Sequence, residues 1–357
     1  GRIAVSARRR MKAAVLHGRE DVRLEEVDVP QPGPGEILLR HRVALTCGTD
    51  VKVYRRGYHA RMITPPAVFG HEVAGVVEEV GAGVAGWEPG TAVVPANSAP
   101  CGACDFCQRG RPSLCEDLLF WNGAYAEFGV IPARIVEKNL LRLPPGLPFR
   151  DAAMVEPLAC VVRGVEESGI GPGLSVAVLG VGPIGQMFVA LARRRGARVI
   201  ALGRHAGRLA RAQALGAVAA VKVEEGQDLV QALREASPQG QGPDVVVEAV
   251  GLPHTSEAAI GAVRKGGTVQ LFGGCPAGTR VSFDAQRLHY DELTIRATFH
   301  HTPQSVREAF RLIAAGEIAP AAFVTGEEPL ERLPQVLANM ARGGEGLKTA
   351  IRPARDP

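Results

Sequence analysis

The sequence lacks the features of a membrane-bound or secreted chain. Its 357 residues contain no run of about 18 consecutive apolar residues, the shortest stretch expected to span a membrane as a helix. The first ten residues are rich in arginine and contain no apolar segment of the kind that a secretory signal needs. These absences predict a cytoplasmic protein with no membrane partner.

The sequence also lacks the charge imbalance that marks many nucleic-acid-binding or disordered proteins. Its 41 basic and 37 acidic residues leave a formal net charge of +4, and no block of lysine and arginine stands out. Because nucleic-acid binding depends on basic patches, we expect no nucleic-acid partner. Apolar residues make up 46% and charged residues 22%, as in ordinary globular proteins, which excludes a disordered chain, collagen and a small disulfide scaffold.

The pattern along the chain changes once, and its length suggests two domains. Residues 1–10 precede Met11 and are interpreted as an N-terminal extension or a cloning remnant. Up to about residue 150, short apolar runs between Gly- and Pro-rich turns are typical of a β-barrel or sandwich. From about residue 160, strand-like runs alternate with helical stretches, which predicts a doubly wound parallel sheet. A later helix is predicted to begin at Pro303, with Thr302 as its cap, and to end before Gly316.

Four of the seven cysteines lie within fifteen residues of each other. They are Cys101, Cys104, Cys107 and Cys115. In a reducing compartment, clustered thiols are more often metal ligands than disulfides, and Zn²⁺ accepts four thiolates in a closed tetrahedron. We therefore predict a structural zinc site, with an Fe–S cluster, a nucleic-acid zinc module, buried free thiols or two disulfides as alternatives. Cys160 and Cys275 lie in apolar stretches and are predicted to be core residues.

A glycine-rich loop follows the apolar run Ser175–Leu179 and precedes a predicted helix. This strand–turn–helix setting is that of a dinucleotide-binding fingerprint. The first glycine permits a tight turn, the second lets the backbone approach a pyrophosphate, and the third lets the helix pack closely on the strand. An ordinary Gly-rich turn is the alternative. The loop residues predicted to contact the cofactor are Gly180, Gly182, Pro183, Ile184 and Gly185.

The end of the next predicted strand indicates which dinucleotide is bound. An NAD site usually has an acidic residue there to hold the ribose 2′-hydroxyl, but this sequence has Gly203 followed by Arg204. A small neutral residue leaves room for a 2′-phosphate, and Arg204 and Arg208 are placed to pair with it. We predict NADP(H) rather than NAD(H), with a solvated Arg204 and relaxed specificity as the alternative. The other predicted cofactor contacts are Val250, Phe272, Gly273 and Phe299.

Three further segments carry side chains that zinc prefers. They are Cys47-Gly-Thr-Asp50, Gly70-His71-Glu72 and Glu156-Pro157. A Cys, a His and a carboxylate leave a fourth zinc position open, although each residue could also be an ordinary core or capping residue. Together with the cysteine cluster and the glycine-rich loop, and in this order, these segments resemble the zinc-dependent medium-chain alcohol dehydrogenases of the polyol and threonine dehydrogenase-like branch. The resemblance extends from Met11 to about Pro353.

The resemblance implies an α/β protein in which a GroES-like β-barrel catalytic domain (about 11–157 and 298–357) surrounds an inserted Rossmann domain (about 158–297). It implies hydride transfer between an alcohol or polyol and NADP(H), two zinc ions per chain, and a homo-oligomer, either a dimer or a tetramer. One alternative is an NAD-dependent sorbitol- or threonine-type dehydrogenase. A zinc-free quinone reductase of the same superfamily is opposed by Cys47, His71 and the cysteine cluster. A non-catalytic zinc- and nucleotide-binding protein is the alternative from another class.

Within the metal site, the resemblance implies a role for each matching residue. Cys47, His71 and Glu156 match ligands of the catalytic zinc, and Glu72 is a direct or alternating ligand. Asp50 matches the acid that orients the ligand histidine. Thr49 matches the hydroxyl that hydrogen-bonds the substrate oxygen and passes on its proton.

The sequence departs from the family pattern at two places. Lys52 stands where many members have the outer histidine of a proton relay, and it is either a relay residue with a lowered pKa or a surface lysine. Phe299-His300-His301 stands where sorbitol dehydrogenase-like members place an arginine that holds the polyol, so the sequence does not favour sorbitol itself. The two histidines either contact cofactor or substrate or lie at a domain edge. Trp121 and Tyr54 are candidate pocket walls, with core packing as the alternative.

Overall fold

The computed structural model of the protein describes residues 8–354, which divide into two compact units. The first unit comprises the chain up to Glu156 and again from Thr302, and the second comprises Pro157–His301. Residues 298–301 therefore belong to the second unit rather than to the first, where we expected them. The physical reason is a buried contact with that unit's sheet, in which Gln270 Nε2 donates to Thr298 Oγ1 at 2.7 Å.

The first seven residues of the predicted extension 1–10 lie outside the described part of the chain. The remaining three residues contact the first unit. Arg8 and Arg10 form ion pairs with Asp28, and Arg9 pairs with Glu78 at 2.7 Å. These are exposed pairs that contribute little stability each. Residue 10 nevertheless begins the first strand, so this strand includes one residue of the predicted extension.

The first unit consists of short strands joined by turns and short helices. In chain order its elements before the division are β1 (Arg10–Gly18), β2 (Asp21–Asp28), β3 (Ile37–Leu45), α1 (Gly48–Arg56), β4 (Ala67–Val68), β5 (Glu72–Val80), β6 (Ala92–Pro95), β7 (Ser98–Ala99), α2 (Asp105–Gln108), a 3₁₀ turn (Pro112–Leu114), β8 (Leu119–Phe120), β9 (Phe128–Ile131), α3 (Ala133–Asn139), β10 (Leu140–Arg142) and α4 (Phe149–Ala152). The helix α5 (Val155–Glu167) contains the point of division.

The last part of the chain returns to the first unit. Its elements are α11 (Pro303–Ala314), a 3₁₀ turn (Pro320–Phe323), β17 (Val324–Pro329), a second 3₁₀ turn (Leu330–Arg332), α12 (Leu333–Ala341) and β18 (Lys348–Arg352). The predicted start of α11 is confirmed, because the Thr302 hydroxyl accepts a hydrogen bond from the Ser305 backbone N–H and Pro303 occupies the first helical position.

Two main sheets build the first unit. A seven-stranded sheet has the order β10-β6-β5-β3-β18-β17, with β9 also pairing with β3, and a three-stranded sheet has the order β2-β1-β4. Neighbouring strands are antiparallel except for β17 and β18. The apolar core between these elements includes Leu16, Leu39, Phe69, Tyr125 and Ile351, each no more than 1% exposed. A tight turn explains only the pairing of the consecutive strands β1 and β2, whereas most other pairs join strands that are distant in sequence.

The second unit is a parallel sheet with helices between its strands. Its elements are β11 (Ser175–Leu179), α6 (Pro183–Arg194), β12 (Arg198–Gly203), α7 (Ala206–Ala214), β13 (Ala219–Lys222), α8 (Leu229–Ala236), a 3₁₀ turn (Pro238–Gly240), β14 (Val245–Glu248), α9 (Pro253–Ala262), β15 (Thr268–Leu271), α10 (Ala285–Tyr290) and β16 (Thr294–Ala297). The strand order is β13-β12-β11-β14-β15-β16, so the winding direction reverses between β11 and β14. Ligands of such sheets bind at the carboxyl ends of the strands beside that reversal.

The predicted doubly wound sheet is confirmed, with one strand that sequence analysis missed. The strand β13 is short, and its four residues are partly or fully exposed at the sheet edge, so no continuous apolar run announces it. Within residues 8–354, no helix combines the length and the apolar character needed to cross a membrane.

Candidate metal and cofactor sites

Cys47 lies where strand β3 ends, and it caps helix α1. Its Sγ accepts a hydrogen bond from the Thr49 backbone N–H at 3.5 Å, and the Asp50 carboxylate accepts one from the Cys47 N–H at 3.0 Å. Burial disfavours the thiolate, but the charges of Lys348 and His71 and a hydrogen bond with His71 outweigh this and lower the pKa of Cys47 to about 7. The thiol is therefore prepared to act as a metal ligand.

Strand pairing brings His71 and Glu72 to Cys47. In the sheet, Leu45 of β3 is the partner of Glu72 at the start of β5, so the end of one strand faces the start of the other. One potential ligand atom from each of Cys47, His71 and Glu72 lies within 4.8 Å of the others. A soft sulfur, an imidazole nitrogen and a carboxylate at this separation fit a zinc ion.

Asp50 and Tyr125 hold His71 in place from the other side. Asp50 Oδ1 lies 3.4 Å from His71 Nδ1, and Asp50 Oδ2 accepts a hydrogen bond from the Tyr125 hydroxyl at 2.5 Å. Burial alone would lower the pKa of His71, but Asp50 and Cys47 raise it well above its usual value. A carboxylate on one ring nitrogen fixes the orientation of the ring and leaves the other nitrogen for a metal, as Asp50 was expected to do.

A buried lysine binds the Glu72 carboxylate, which sequence analysis missed. Lys348 Nζ donates to both Glu72 carboxylate oxygens at 2.8 Å and to the Thr46 backbone carbonyl at 2.8 Å. Lys348 is 2% and Glu72 0% exposed. Burial raises the pKa of Glu72 to about 8, although Lys348 acts in the opposite direction, and the charge of Glu72 raises the pKa of Lys348. A lysine within the apolar strand β18 was the available sequence signal.

Glu156 is buried at the N-terminal end of α5. Burial raises the pKa of its carboxyl group to about 7, against the charge of His71, which lowers it. The same carboxyl group also senses Glu72, Lys348 and Asp50. Glu156 is therefore part of the same electrostatic cluster, although the ligand atoms that lie with Cys47 in a group of three within 4.8 Å are those of His71 and Glu72.

The other residues predicted around this site have different environments. Thr49 is half-buried on the first turn of α1, and Lys52 on the same helix is exposed, as expected for the surface alternative. Trp121 is 7% exposed and packs into the core of the first unit, with its ring edge-on to His41 at 5.9 Å. Tyr54 packs against the same core. Core packing, the alternative to a pocket wall, therefore describes Trp121 and Tyr54.

The four clustered cysteines converge around one point. Their sulfur atoms all lie within 4.8 Å of one another, and none of the four is in a disulfide. Zn–S bonds of about 2.3 Å in a tetrahedron require sulfur atoms roughly 3.8 Å apart, so the group fits one zinc ion. The backbone N–H groups of Ala103 and Cys104 donate to Cys101 Sγ and lower the pKa of Cys101 to about 6, which favours the thiolate that a metal needs.

At each of the three glycines of the glycine-rich loop, a different feature of the structure favours a residue without a side chain. Gly180 has a φ of 109°, and a Cβ there would lie 2.9 Å from Val250 Cγ2. A Cβ on Gly185 would lie 1.8 Å from the Gly180 carbonyl oxygen, so helix α6 packs directly on the loop backbone. At Gly182 a Cβ would meet only Arg208 Nη1, at 4.0 Å, which leaves the backbone open to a ligand. This pattern is the one that a pyrophosphate site requires.

The residues predicted to select the cofactor follow strand β12. A Cβ on Gly203 would lie 2.3 Å from Val181 Cγ2, so the loop itself excludes a side chain at the position where NAD sites have an acid. Arg204 is exposed and lies 3.5 Å from Glu225 Oε2, and Arg208 lies above the glycine-rich loop. Arg204 thus directly follows the predicted selectivity position, and Arg208 lies close to Gly182.

Glu248, which sequence analysis missed, organises the neighbouring loop at the sheet reversal. Its Oε1 accepts hydrogen bonds from the backbone N–H groups of Val250 and Gly251 and from the Thr255 hydroxyl, all at 2.8 Å. A Cβ on Gly273 would lie 2.9 Å from Glu248 Oε2. Val250 thus lies beside the glycine-rich loop, and Gly273 lies against Gly251 and Glu248.

Two predicted side chains of the second unit have settings that sequence analysis did not foresee. Phe272 is half-buried, and its ring packs edge-on against Phe188 of α6 at 4.9 Å. Cys275 is exposed, which makes its predicted core position wrong, because it lies in the loop after β15 rather than in the sheet. Cys160 is half-buried.

The segment Phe299–His301 forms a stack of three rings. The Phe299 and His300 ring centroids are 5.5 Å apart, and those of His300 and His301 are 3.8 Å apart. His300 has a φ of 64°, which is unusual for a residue other than glycine, and Arg163 Nη1 donates to the Phe299 carbonyl at 2.6 Å. Phe299 is 48% exposed and available to a ligand, whereas His301 is buried.

Comparison with known proteins assigns both units to described families. The profile of the alcohol dehydrogenase GroES-like domain matches residues 33–144, and that of the zinc-binding dehydrogenases matches residues 183–315. D-xylulose reductase A of Aspergillus niger is 30% identical over 347 residues, which cover 94% of this chain and 95% of that protein. L-threonine 3-dehydrogenase of Pyrococcus abyssi is 34% identical over 315 residues, which cover 86% and 87%.

Solved structures show the same architecture. A protein of Sinorhizobium meliloti 1021, described as a zinc-binding dehydrogenase and crystallised with NADP, is similar with a TM-score of 0.88 and 32% identity. The similarity covers 97% of this chain and 100% of that one. The expected combination of a GroES-like domain with a Rossmann-type sheet is thereby confirmed.

Proposed function

The chain belongs to the zinc-dependent medium-chain alcohol dehydrogenase family, and from this premise we propose that it transfers hydride between an alcohol or polyol and NADP(H). The product of oxidation is a ketone or an aldehyde. The observation that carries the proposal is the convergence of Cys47 and His71 with two buried carboxyl groups, that of Glu72 within 4.8 Å and that of Glu156 in the same electrostatic cluster. An NAD-dependent sorbitol- or threonine-type dehydrogenase is the second candidate, favoured by the similarity to L-threonine 3-dehydrogenase.

The residues present fit a catalytic zinc ion, with Cys47, His71 and Glu156 as its protein ligands. The double hydrogen bond from Lys348 occupies both oxygens of Glu72 and supports Glu156 as the carboxylate ligand. Glu72 would then be an alternating ligand, which would have to leave Lys348 to bind a metal. A zinc ion held there supplies a Lewis acid that polarises the substrate oxygen. The four cysteines at 101–115 hold a second, structural zinc ion.

The protein's own groups position the substrate and handle its proton. The Thr49 hydroxyl, on the first turn of α1, accepts the proton of the substrate hydroxyl and relays it outward. Asp50 keeps His71 oriented throughout, because the Tyr125 hydroxyl locks the other carboxylate oxygen. The nicotinamide supplies the hydride chemistry, and the glycine-rich loop and Arg208 hold its phosphates. Lys52, which is exposed, is at most the outer end of the relay.

We also propose a cytoplasmic homo-oligomer, a dimer or a tetramer. Strand β16 supports the oligomer, since it is the last strand of the parallel sheet and pairs with β15 on one side only within the described chain. An edge strand of this kind offers unpaired backbone groups to a second copy. Sedimentation analysis would show a dimer or a tetramer, and a monomer at micromolar concentration would contradict the proposal.

Turnover and metal content test the proposed function. We expect the purified protein to oxidise members of an alcohol and polyol panel with NADP⁺ and to contain two zinc ions per chain. Cys47→Ala should lower the zinc content to one and abolish turnover, while the control Cys275→Ala, at an exposed thiol, should keep both ions. A protein with one zinc ion that Cys47→Ala retains would refute the catalytic site, and a preference for NAD⁺ would favour the second candidate.

A further inference from the structure

Both ends of the segment 51–71 lie at the proposed metal site. Helix α1 carries the chain away from Cys47, Gly57 ends the helix, and the chain returns at His71. We call residues 51–71 the cationic segment. Its two ends are fixed beside the ligands, and its middle still senses the site, since the charge of His71 acts on His59.

The cationic segment carries the whole charge surplus of the protein. It contains Lys52, Arg55, Arg56 and Arg61 and no aspartate or glutamate. Its formal charge therefore equals the net charge of +4 of the entire chain, and the remaining residues balance to zero. A charge concentrated in 21 residues beside an active site attracts anions far more than a surplus spread over the surface.

The backbone of the cationic segment is anchored rather than loose. The Gly57 N–H donates to the Val53 carbonyl at 2.7 Å, and a Cβ on Gly57 would lie 2.4 Å from the Arg19 backbone nitrogen. Beyond the turn, His59 and Ile63 exchange backbone hydrogen bonds of 3.0 and 3.2 Å, and Ile63 is 5% exposed. An anchored backbone reduces the entropy lost when its side chains bind a ligand.

Two of its arginines are available for an anion. Arg55 is engaged, since its guanidinium donates to the Ala341 carbonyl. Arg56 and Arg61 are exposed and form no ion pair with any residue in the range 8–354. The Arg61 N–H donates to His59 Nδ1 at 3.2 Å, and burial together with the charges of Arg56, His71 and Arg61 lowers the pKa of His59. These four groups therefore lie close enough to share one electrostatic field.

We propose that Arg56 and Arg61 bind a carboxylate or phosphate group of the substrate, which makes the substrate an anionic polyol. This inference rests on the proposed function and narrows its substrate class. Guanidinium groups bind both kinds of anion with paired, charge-assisted hydrogen bonds. The phosphates of the cofactor could bind the same two arginines. The experiment therefore distinguishes an anionic group of the substrate from the phosphates of the cofactor.

The experiment compares matched polyols on the zinc-loaded enzyme with NADP⁺. Each set contains a neutral polyol, its aldonate and its terminal phosphate, with four, five or six carbon atoms. The variants are Arg56→Gln/Arg61→Gln, the charge-preserving Arg56→Lys/Arg61→Lys, and the control Arg307→Gln on α11, which removes an exposed arginine from a helix packed on α3 and α4. The kinetic readouts are kcat, the KM of each polyol and the KM of NADP⁺. Calorimetry measures binding of the same polyols without turnover.

We expect at least one anionic polyol to exceed its neutral counterpart about tenfold or more in kcat/KM, as charge-assisted hydrogen bonds imply. The Gln double variant should lose this preference through the KM of the polyol, the Lys variant should recover part of it, and Arg307→Gln should keep it. Moderate salt should weaken the preference. A raised KM for NADP⁺ with an unchanged KM for the polyol would assign the arginines to the cofactor and overturn the proposal.

The calorimetric measurement tests the anion site separately from the proposed dehydrogenase function. If no polyol is oxidised but an anionic polyol still binds in an Arg56- and Arg61-dependent way, the proposed function fails and the anion site stands. If neutral polyols are oxidised and no anionic polyol binds or reacts better, the proposed function stands and the anion site is refuted.

Discussion

The choice of NADP(H) over NAD(H) gives the sharpest prediction, and it depends on the contact between Gly203 and Val181. Gly203→Asp introduces the acid that holds the ribose 2′-hydroxyl in NAD sites. The Cβ of that aspartate would lie 2.3 Å from Val181 Cγ2, and Val181 is only 4% exposed, so it has little room to move. We expect the single variant to lose about 1–3 kcal/mol in the free energy of unfolding, as overpacked sites do.

Val181→Ala/Gly203→Asp removes the colliding methyl group and keeps the new carboxylate. The nearest remaining side-chain atom of residue 181 is Cβ, 3.3 Å from the place that a Cβ at residue 203 would take, a tight contact that a small shift relieves. In this double variant a carboxylate faces the 2′-phosphate, and the contact with Arg204 is weakened. A combined loss of about 3 kcal/mol for NADP⁺ relative to NAD⁺ corresponds to roughly a hundredfold change in selectivity, at about 1.4 kcal/mol per factor of ten.

The assay is the ratio of kcat/KM for NADP⁺ to that for NAD⁺, measured with one alcohol substrate, together with urea unfolding of each variant. Val181→Ala alone is the control for the cavity, and Arg204→Gln is the control for the lost cation. The double variant should be more stable than Gly203→Asp and should prefer NAD⁺. The reasoning is refuted if the unaltered enzyme already prefers NAD⁺, or if Gly203→Asp alone is as stable as the unaltered protein.

Three other predictions address the two metal sites and the core. Cys104→Ser should lower the zinc content from two to one per chain and the unfolding temperature with it; an unchanged content would contradict the structural site. Lys348→Met should cost about 1–3 kcal/mol in the free energy of unfolding of the zinc-free protein, because it leaves the buried Glu72 carboxyl group without its hydrogen-bond donor, and Lys348→Arg should recover part of the loss in urea titrations. Burial lowers the pKa of His41 to about 4, although hydrogen bonds to backbone carbonyls act in the opposite direction. As the pH falls, His41 therefore takes up a proton in the unfolded chain at a higher pH than in the folded protein. Stability from His41 should therefore be complete above about pH 6.5 and fall by about 3 kcal/mol toward pH 4, and His41→Phe should flatten that part of the pH profile.

The parts of the site that sequence analysis predicted well are those formed by neighbouring residues. The glycine-rich loop lies within six residues, and the steric reasons for Gly180, Gly182 and Gly185 are local contacts that the motif itself implies. The four cysteines are likewise close in sequence. In both cases the spacing of residue types restricts the geometry, so the chemistry could be inferred before the fold was known.

The parts that sequence analysis missed depend on distant pairing. Lys348 meets Glu72 across 276 positions of sequence, only because β18 and β5 both pair with β3. Glu248 meets the loop beside Gly180 because β14 lies next to β11 in the sheet. Cys275 was assigned to the core from its apolar neighbours, but the strand before it ends at Leu271, and an exposed loop follows. Periodicity describes which residues are apolar and does not show which strands become neighbours.

The net charge of the whole chain does not show where along the sequence the charge is concentrated. A surplus of +4 over 357 residues is too small to indicate a nucleic-acid partner, and this expectation is unchanged. The same surplus is large when all of it lies between position 51 and His71, because electrostatic attraction depends on local density within about one Debye length, roughly 8 Å at physiological salt. The fold then determines its effect, since the pairing of β3 with β5 returns this segment to Cys47. Charge that carries no information as a total therefore becomes the basis of a proposal about the substrate once the segment that holds it is seen to begin and end at the proposed metal site.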